Sequence, residues 1–104
     1  MSFIVKAKSK ALKKLEKFPK GIRKRIEELI LILKENPLPY LKFDLAKMEG
    51  YENTYRIRIG KVRIIYKIDF KNKIIEILDA YYIEAEYIKV IIPINPSSIP
   101  YQYK

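Results

Sequence analysis

Three of the chain's five arginines lie in one short stretch of alternating sequence, at Arg56, Arg58 and Arg63, whereas the seventeen lysines are spread along the whole chain. A planar guanidinium group offers paired N–H donors that match the oxygens of a phosphate group. The concentration of arginine therefore predicts an anion site, with phosphate as the expected anion. The alternative is a solvated sheet face whose long side chains cover Ile65.

A two-residue turn at Gly60-Lys61 predicts how these arginines are arranged. Alternating apolar residues on both sides of a glycine turn are typical of a β-hairpin. The resulting register places Arg58 opposite Arg63, and like charges opposite each other in a sheet repel. The other face of this hairpin is apolar and is expected to pack on helices; it consists of Tyr55, Ile57, Ile59, Val62, Ile64, Tyr66 and Ile68.

The composition limits the chemistry that these residues can perform. The chain contains neither histidine nor cysteine, which excludes a thiol nucleophile, a cysteine zinc site and any catalytic triad built on histidine. We expect no metal and no cofactor, and the alternative is a catalytic or metal-binding carboxylate pair formed by Glu76 and Asp79. The formal net charge of +10 predicts a polyanionic partner, which could be RNA, DNA, an acidic protein or an anionic membrane surface.

Ten of the basic residues lie between Lys6 and Arg25. Lys13 and Lys17 within this run are candidate contacts for RNA, and a solvated helix face is the alternative interpretation. No apolar run approaches the ~18 residues that a membrane span needs, so we expect a cytoplasmic protein that does not enter a membrane. The abundance of isoleucine and lysine is typical of hyperthermophile proteins, and an AT-rich genome would produce the same bias.

The elements that must position the arginines follow from the hydrophobic periodicity. A short apolar run predicts a first strand, and Ser9 is placed to cap a helix. Residues 9–35 predict a helical hairpin broken near Pro19. Its second helix carries an apolar stripe, whose members are Ile22, Ile26, Leu29, Ile30 and Leu33. The sequence Asn36-Pro37-Leu38-Pro39 ends that helix.

After a loop through Gly50, the hydrophobic period changes from 3.6 to 2. The two hairpin strands are followed by a strand over residues 74–82, and residues 87–94 could form one more. The order β-α-α-β-β-β predicts an α+β domain, with the helical hairpin packed on one face of a mainly antiparallel sheet. We expect a single domain over residues 1–92 and a proline-rich tail over residues 93–104.

This order of elements, together with several motifs, resembles the RelE/ParE superfamily of toxins from toxin–antitoxin modules. The similarity covers roughly residues 3–88. The motifs are the Lys47-Met48-Glu49-Gly50 turn, the Tyr55-Arg56-Ile57-Arg58 strand, Gly60, the Arg63-Ile64-Ile65-Tyr66 strand and the Asn36-Pro37 helix end. RelE-type members are metal-independent endoribonucleases that cut mRNA in the ribosomal A site, so the resemblance implies this activity.

The resemblance also implies functional roles for individual residues. Arg56, Arg58 and Arg63 match the family's basic positions on the hairpin strands, and Tyr87 matches its C-terminal tyrosine. The chain departs from the family at Ile83, where relatives commonly carry an arginine. The predicted RNA contacts are Lys47, Lys61, Lys67, Lys13 and Lys17.

The implied partners are a cognate acidic antitoxin, the ribosome and mRNA. Two alternatives stay open. ParE-type relatives share the fold but inhibit DNA gyrase without cutting RNA, and a degenerate relative could serve only to bind nucleic acid or antitoxin.

Overall fold

The computed structural model describes residues 2–82 of the chain, which form a two-layer α+β fold. In chain order, the elements are β1 (Ile4–Ala7), α1 (Ser9–Lys17), α2 (Lys20–Glu35), β2 (Asp44–Lys47), β3 (Thr54–Ile59), β4 (Val62–Asp69) and β5 (Ile74–Tyr82). The sheet order is β1-β5-β4-β3-β2, and only the β1–β5 pair is parallel. The predicted fold class is confirmed.

The helical hairpin forms where the periodicity predicts it, but Ser9 does not cap α1. Lys8 occupies the N-cap position, and no side chain bonds to the free N–H groups there. The Lys8 N–H instead donates to the Ile77 carbonyl, while the Lys8 carbonyl accepts from Leu12. Pairing with β5 therefore fixes the point at which the chain turns from β1 into α1.

The apolar stripe of α2 packs on the sheet through its central residues. Leu29 and Leu33 are fully buried against a sheet surface that includes Ile57, Ile64 and Tyr66. Ile30 of the same stripe packs against the core but is only half-buried, because it also lines a shallow groove between the two helices. Neither helix in the described part of the chain is long and apolar enough to cross a membrane.

Strand β2 is absent from the sequence prediction, which treats this segment as loop. It has four residues and lies at the edge of the sheet, with Leu45 opposite Ile57. A strand this short shows too few alternations to be recognised from its own sequence. Its pairing with β3 across a turn that contains Gly50 at φ 83° and Asn53 at φ 49° is what defines it.

Candidate functional site

The β3–β4 hairpin has the predicted register. Arg58 lies opposite Arg63, and Arg56 lies opposite Ile65. Gly60 has φ 58° in the connecting turn, a conformation that favours glycine. Because the opposite face of both strands packs into the core, all three arginines share the surface turned away from the helices. We call this surface, made of Arg56, Arg58, Arg63, Ile65 and Lys67, the arginine face.

The arginines of this face differ in exposure. The Arg56 side chain is 18% exposed, whereas the Arg58 side chain is 48% exposed. Ile65 is buried although it lies on the side away from the helices, and its neighbours across the sheet are Arg56 and Asp79. Part of the face is therefore a packed surface over Ile65, as the alternative interpretation predicts, whereas about half of the Arg58 side chain is accessible to solvent.

Asp44 is a member of this site that the sequence analysis missed. It lies on β2 directly opposite Arg58. One carboxylate oxygen is 3.5 Å from Arg56 Nη2, and the other is 3.5 Å from Arg58 Nε. The Asp44 carboxylate thus offsets part of the repulsion among the clustered arginines. The four residues of β2 carry too little alternation to reveal Asp44 from the sequence alone.

Two of the predicted RNA-binding lysines lie on or beside the arginine face. Lys67 is exposed on β4, with Glu76 opposite it on β5. Lys61 is exposed in the hairpin turn next to the strand ends that carry Arg58 and Arg63. These two lysines can extend the positive surface along the hairpin.

The other three predicted lysines lie elsewhere. Lys47 pairs with Tyr55, whose side chain packs against the core, so Lys47 is on the helical side of the edge strand. Lys13 and Lys17 are exposed on α1, in the layer on the other side of the sheet. The structure therefore does not bring them together with the arginines.

Tyr87 and Ile83 lie outside the described residues. The same holds for the predicted strand over residues 87–94, for the domain boundary at residue 92 and for the proline-rich tail.

Comparison with known proteins identifies the family. A family model described as the ParE toxin of type II toxin-antitoxin systems (parDE) matches residues 5–79. The chain belongs to this toxin family. RelE1 of Methanocaldococcus jannaschii is 40% identical to this toxin over 75 residues, which are 72% of this chain and 83% of that one.

Two solved archaeal structures are similar to this toxin over most of the described fold. The RelE–RelB complex from Pyrococcus horikoshii contains a chain with 36% identity and a TM-score of 0.73, covering 80% of this chain and 97% of that chain. The RelB–RelE complex from Methanococcus jannaschii gives 29% identity and a TM-score of 0.65, with 80% and 95% covered. The resemblance to the RelE/ParE superfamily is thus confirmed.

A β-bulge in β5 positions Asp79, which binds two lysines of helix α1. The β4–β5 register shifts after Ile65, so that Leu78 is an additional residue between Ile77 and Asp79. Such bulges redirect side chains. Asp79 accepts a 2.8 Å hydrogen bond from Lys14 Nζ and lies 3.6 Å from Lys10 Nζ. These two lysines of the basic helix therefore bind the protein's own sheet.

The ion pair at Asp79 predicts a pH-dependent contribution to stability. Burial alone would raise the pKa of Asp79, but hydrogen bonds from Lys14 and the Ala80 N–H, with the charges of Lys14 and Lys10, hold this pKa below its ordinary value. The contribution is complete above the unfolded-state pKa of about 3.9 and is lost as the pH falls through the lower folded-state pKa.

We therefore expect Asp79→Asn to lower the free energy of unfolding by up to about 1 kcal/mol at pH 7. This difference from the unmodified toxin should shrink as the pH falls below about 4. Urea unfolding between pH 7 and pH 2.5 measures it. Glu49→Gln, at an exposed position, is the control with the same change of charge. A difference for Asp79→Asn that stays constant with pH would contradict this account.

A partly buried hydrogen bond joins the hairpin to the loop that follows α2. Tyr66 Oη donates to the Pro37 carbonyl at 2.7 Å. Burial, reinforced by the charge of Tyr55, raises the pKa of Tyr66 well above its ordinary value. Tyr66 is therefore a neutral structural donor rather than a group that transfers protons at neutral pH.

The described residues contain no group of three or more carboxylates placed to hold a metal ion.

Proposed function

We propose that this toxin is a metal-independent endoribonuclease that cuts mRNA on the ribosome. The observation that carries the proposal is the hairpin register, which gathers Arg56, Arg58 and Arg63 on one sheet surface although like charges repel. Solubility alone requires only charged residues that are spread over the surface, such as lysines. Clustered guanidinium groups instead suit a phosphodiester, whose negative charge increases during cleavage.

The proposed reaction is attack of an RNA 2′-hydroxyl on the adjacent phosphorus. The bond from the 2′-oxygen to phosphorus forms and the bond to the 5′-oxygen breaks, which gives a 2′,3′-cyclic phosphate and a 5′-hydroxyl. The 2′-hydroxyl loses a proton and the leaving 5′-oxygen gains one. The arginines stabilise the pentavalent intermediate, and Tyr87 or a lysine is the proposed proton-transfer group.

In this proposal, the ribosome positions the mRNA and so compensates for the weak proton-transfer groups of the toxin. Without histidine, the chain has no side chain that ordinarily exchanges protons near neutral pH. A ribosome that holds the mRNA in a reactive conformation removes much of the entropic barrier and makes weak proton transfer sufficient. We therefore propose the ribosome, its mRNA and the cytoplasm as the working context.

We also propose an acidic antitoxin as a partner. The similar chains from Pyrococcus horikoshii and Methanococcus jannaschii were solved in complex with RelB. The net charge of +10 favours fast, salt-sensitive association with an acidic chain. The groove between α1 and α2, with half-exposed Leu12 at its side, offers apolar surface for the same partner.

Inhibition of DNA gyrase is the second candidate function. The matching family model carries the ParE name, and Asp44 already pairs with two of the three arginines. A surface partly neutralised in this way also suits binding to a protein.

Two parallel assays with the purified toxin separate these functions. We expect the toxin to block protein synthesis in a translation extract and to leave DNA supercoiling by gyrase unchanged. Inhibited supercoiling with intact translation would contradict the nuclease proposal and support the ParE-type function.

A further inference from the structure

The Asp44 carboxylate makes two long ion-pair contacts with the arginine face, one with Arg56 and one with Arg58. Both oxygen–nitrogen distances are 3.5 Å, which is longer than the roughly 2.7–2.9 Å of a well-formed charged hydrogen bond. The Asp44 side chain is 53% exposed and lies on a four-residue edge strand. The Arg58 side chain is 48% exposed as well, and exposed pairs with this geometry contribute little to stability, whereas the Arg56 side chain is 18% exposed. An anion that arrives at the exposed Arg58 side can therefore displace the carboxylate.

The arrangement of the two oxygens indicates where such an anion would bind. Each Asp44 oxygen faces a different guanidinium group, one on Arg56 and one on Arg58. The two non-bridging oxygens of a phosphodiester have a similar spacing and carry the same charge as this carboxylate. The carboxylate therefore occupies a place on the sheet in which a phosphate would make the same two contacts.

We propose that Asp44 is a specificity-determining residue that acts as an internal competitor for the phosphate site between Arg56 and Arg58. The inference rests on the proposed function, because it identifies that phosphate as one from the RNA backbone. Free phosphate and loose nucleic acid must displace Asp44 and so bind weakly. A phosphodiester held in place by the ribosome binds without a large entropic loss and displaces it.

A purely structural role for Asp44 and a competitor role predict opposite effects of its removal on phosphate binding. If the carboxylate only positioned Arg56 and Arg58, its removal would disorder them and weaken anion binding. The competitor role predicts stronger binding, because removal of a negative charge next to the site lowers electrostatic repulsion of the phosphate. The direction of the change therefore separates the two roles.

The test is a titration of the full chain with inorganic phosphate, followed through the NMR signals of the arginine Nε–H groups. Asp44→Asn keeps the shape of the side chain and removes its charge, and we expect it to bind phosphate about three- to tenfold more tightly. Glu49→Gln removes the same charge from an exposed position just beyond β2, and should change the affinity by less than about twofold. Asp44→Ala serves as a second variant, with circular dichroism to verify folding.

Unchanged or weaker phosphate binding by both Asp44 variants would overturn the proposal, as would equal gains for Asp44→Asn and Glu49→Gln. The titration needs no ribosome, so its outcome is independent of the nuclease assay. Tighter binding without mRNA cleavage would support the role of Asp44 and refute the proposed function. Cleavage of mRNA together with unchanged phosphate binding would support the proposed function and refute the role of Asp44.

Discussion

Replacement of Arg63 by alanine is expected to lower the rate of mRNA cleavage by about 10²–10³-fold, because the developing charge on phosphorus loses one of its fixed donors. Arg63 lies on β4 directly opposite Arg58, so its guanidinium belongs to the cluster that we propose contacts the phosphate. Arg63→Lys should recover only part of the rate, since lysine supplies the charge without the planar pair of donors. Translation arrest at matched toxin concentrations measures both effects.

Arg23→Ala is the matched control for this prediction. Arg23 is exposed on α2, in the layer on the opposite side of the sheet, so the same loss of net charge there should leave the rate nearly unchanged. Thermal unfolding of each variant verifies that the fold is retained. Full activity of Arg63→Ala would show that the arginine face is not the catalytic surface.

Replacement of Leu29 by alanine is expected to lower the free energy of unfolding by about 2–5 kcal/mol. Leu29 is fully buried where α2 meets the sheet, so the shorter side chain leaves a cavity in the core. Such a loss is a large fraction of the 5–15 kcal/mol that stabilises an ordinary domain. Denaturant unfolding followed by circular dichroism measures the change.

The same helix provides the control. Leu31, two residues further along α2, is 63% exposed, and Leu31→Ala should change the free energy of unfolding by less than about 0.5 kcal/mol. Similar decreases in the free energy of unfolding for Leu29→Ala and Leu31→Ala would contradict the packing of α2 with Leu29 towards the sheet and Leu31 towards solvent.

The hairpin could be predicted from the sequence because local signals determine it. Gly60 permits the positive φ that the turn requires, and alternation over two strands sets which side chains face the core. The positions of Arg58 and Arg63 follow directly from these two features. A long amphipathic stripe identifies α2 for the same reason.

The rest of the site depends on contacts between distant parts of the chain. Asp44 joins the arginines only because β2 pairs with β3, and a four-residue edge strand has little periodicity of its own. Asp79 reaches Lys14 because a bulge redirects it. The sequence shows a run of basic residues on α1, but it does not show that Lys10 and Lys14 of this run bind the toxin's own sheet.

Primer extension on mRNA recovered from translating ribosomes tests the central claim most directly. With the unmodified toxin, we expect new 5′ ends within codons held in the ribosomal A site, and we expect them to disappear with Arg63→Ala and persist with Arg23→Ala. Uncut mRNA from ribosomes exposed to active, growth-arresting toxin would contradict the account.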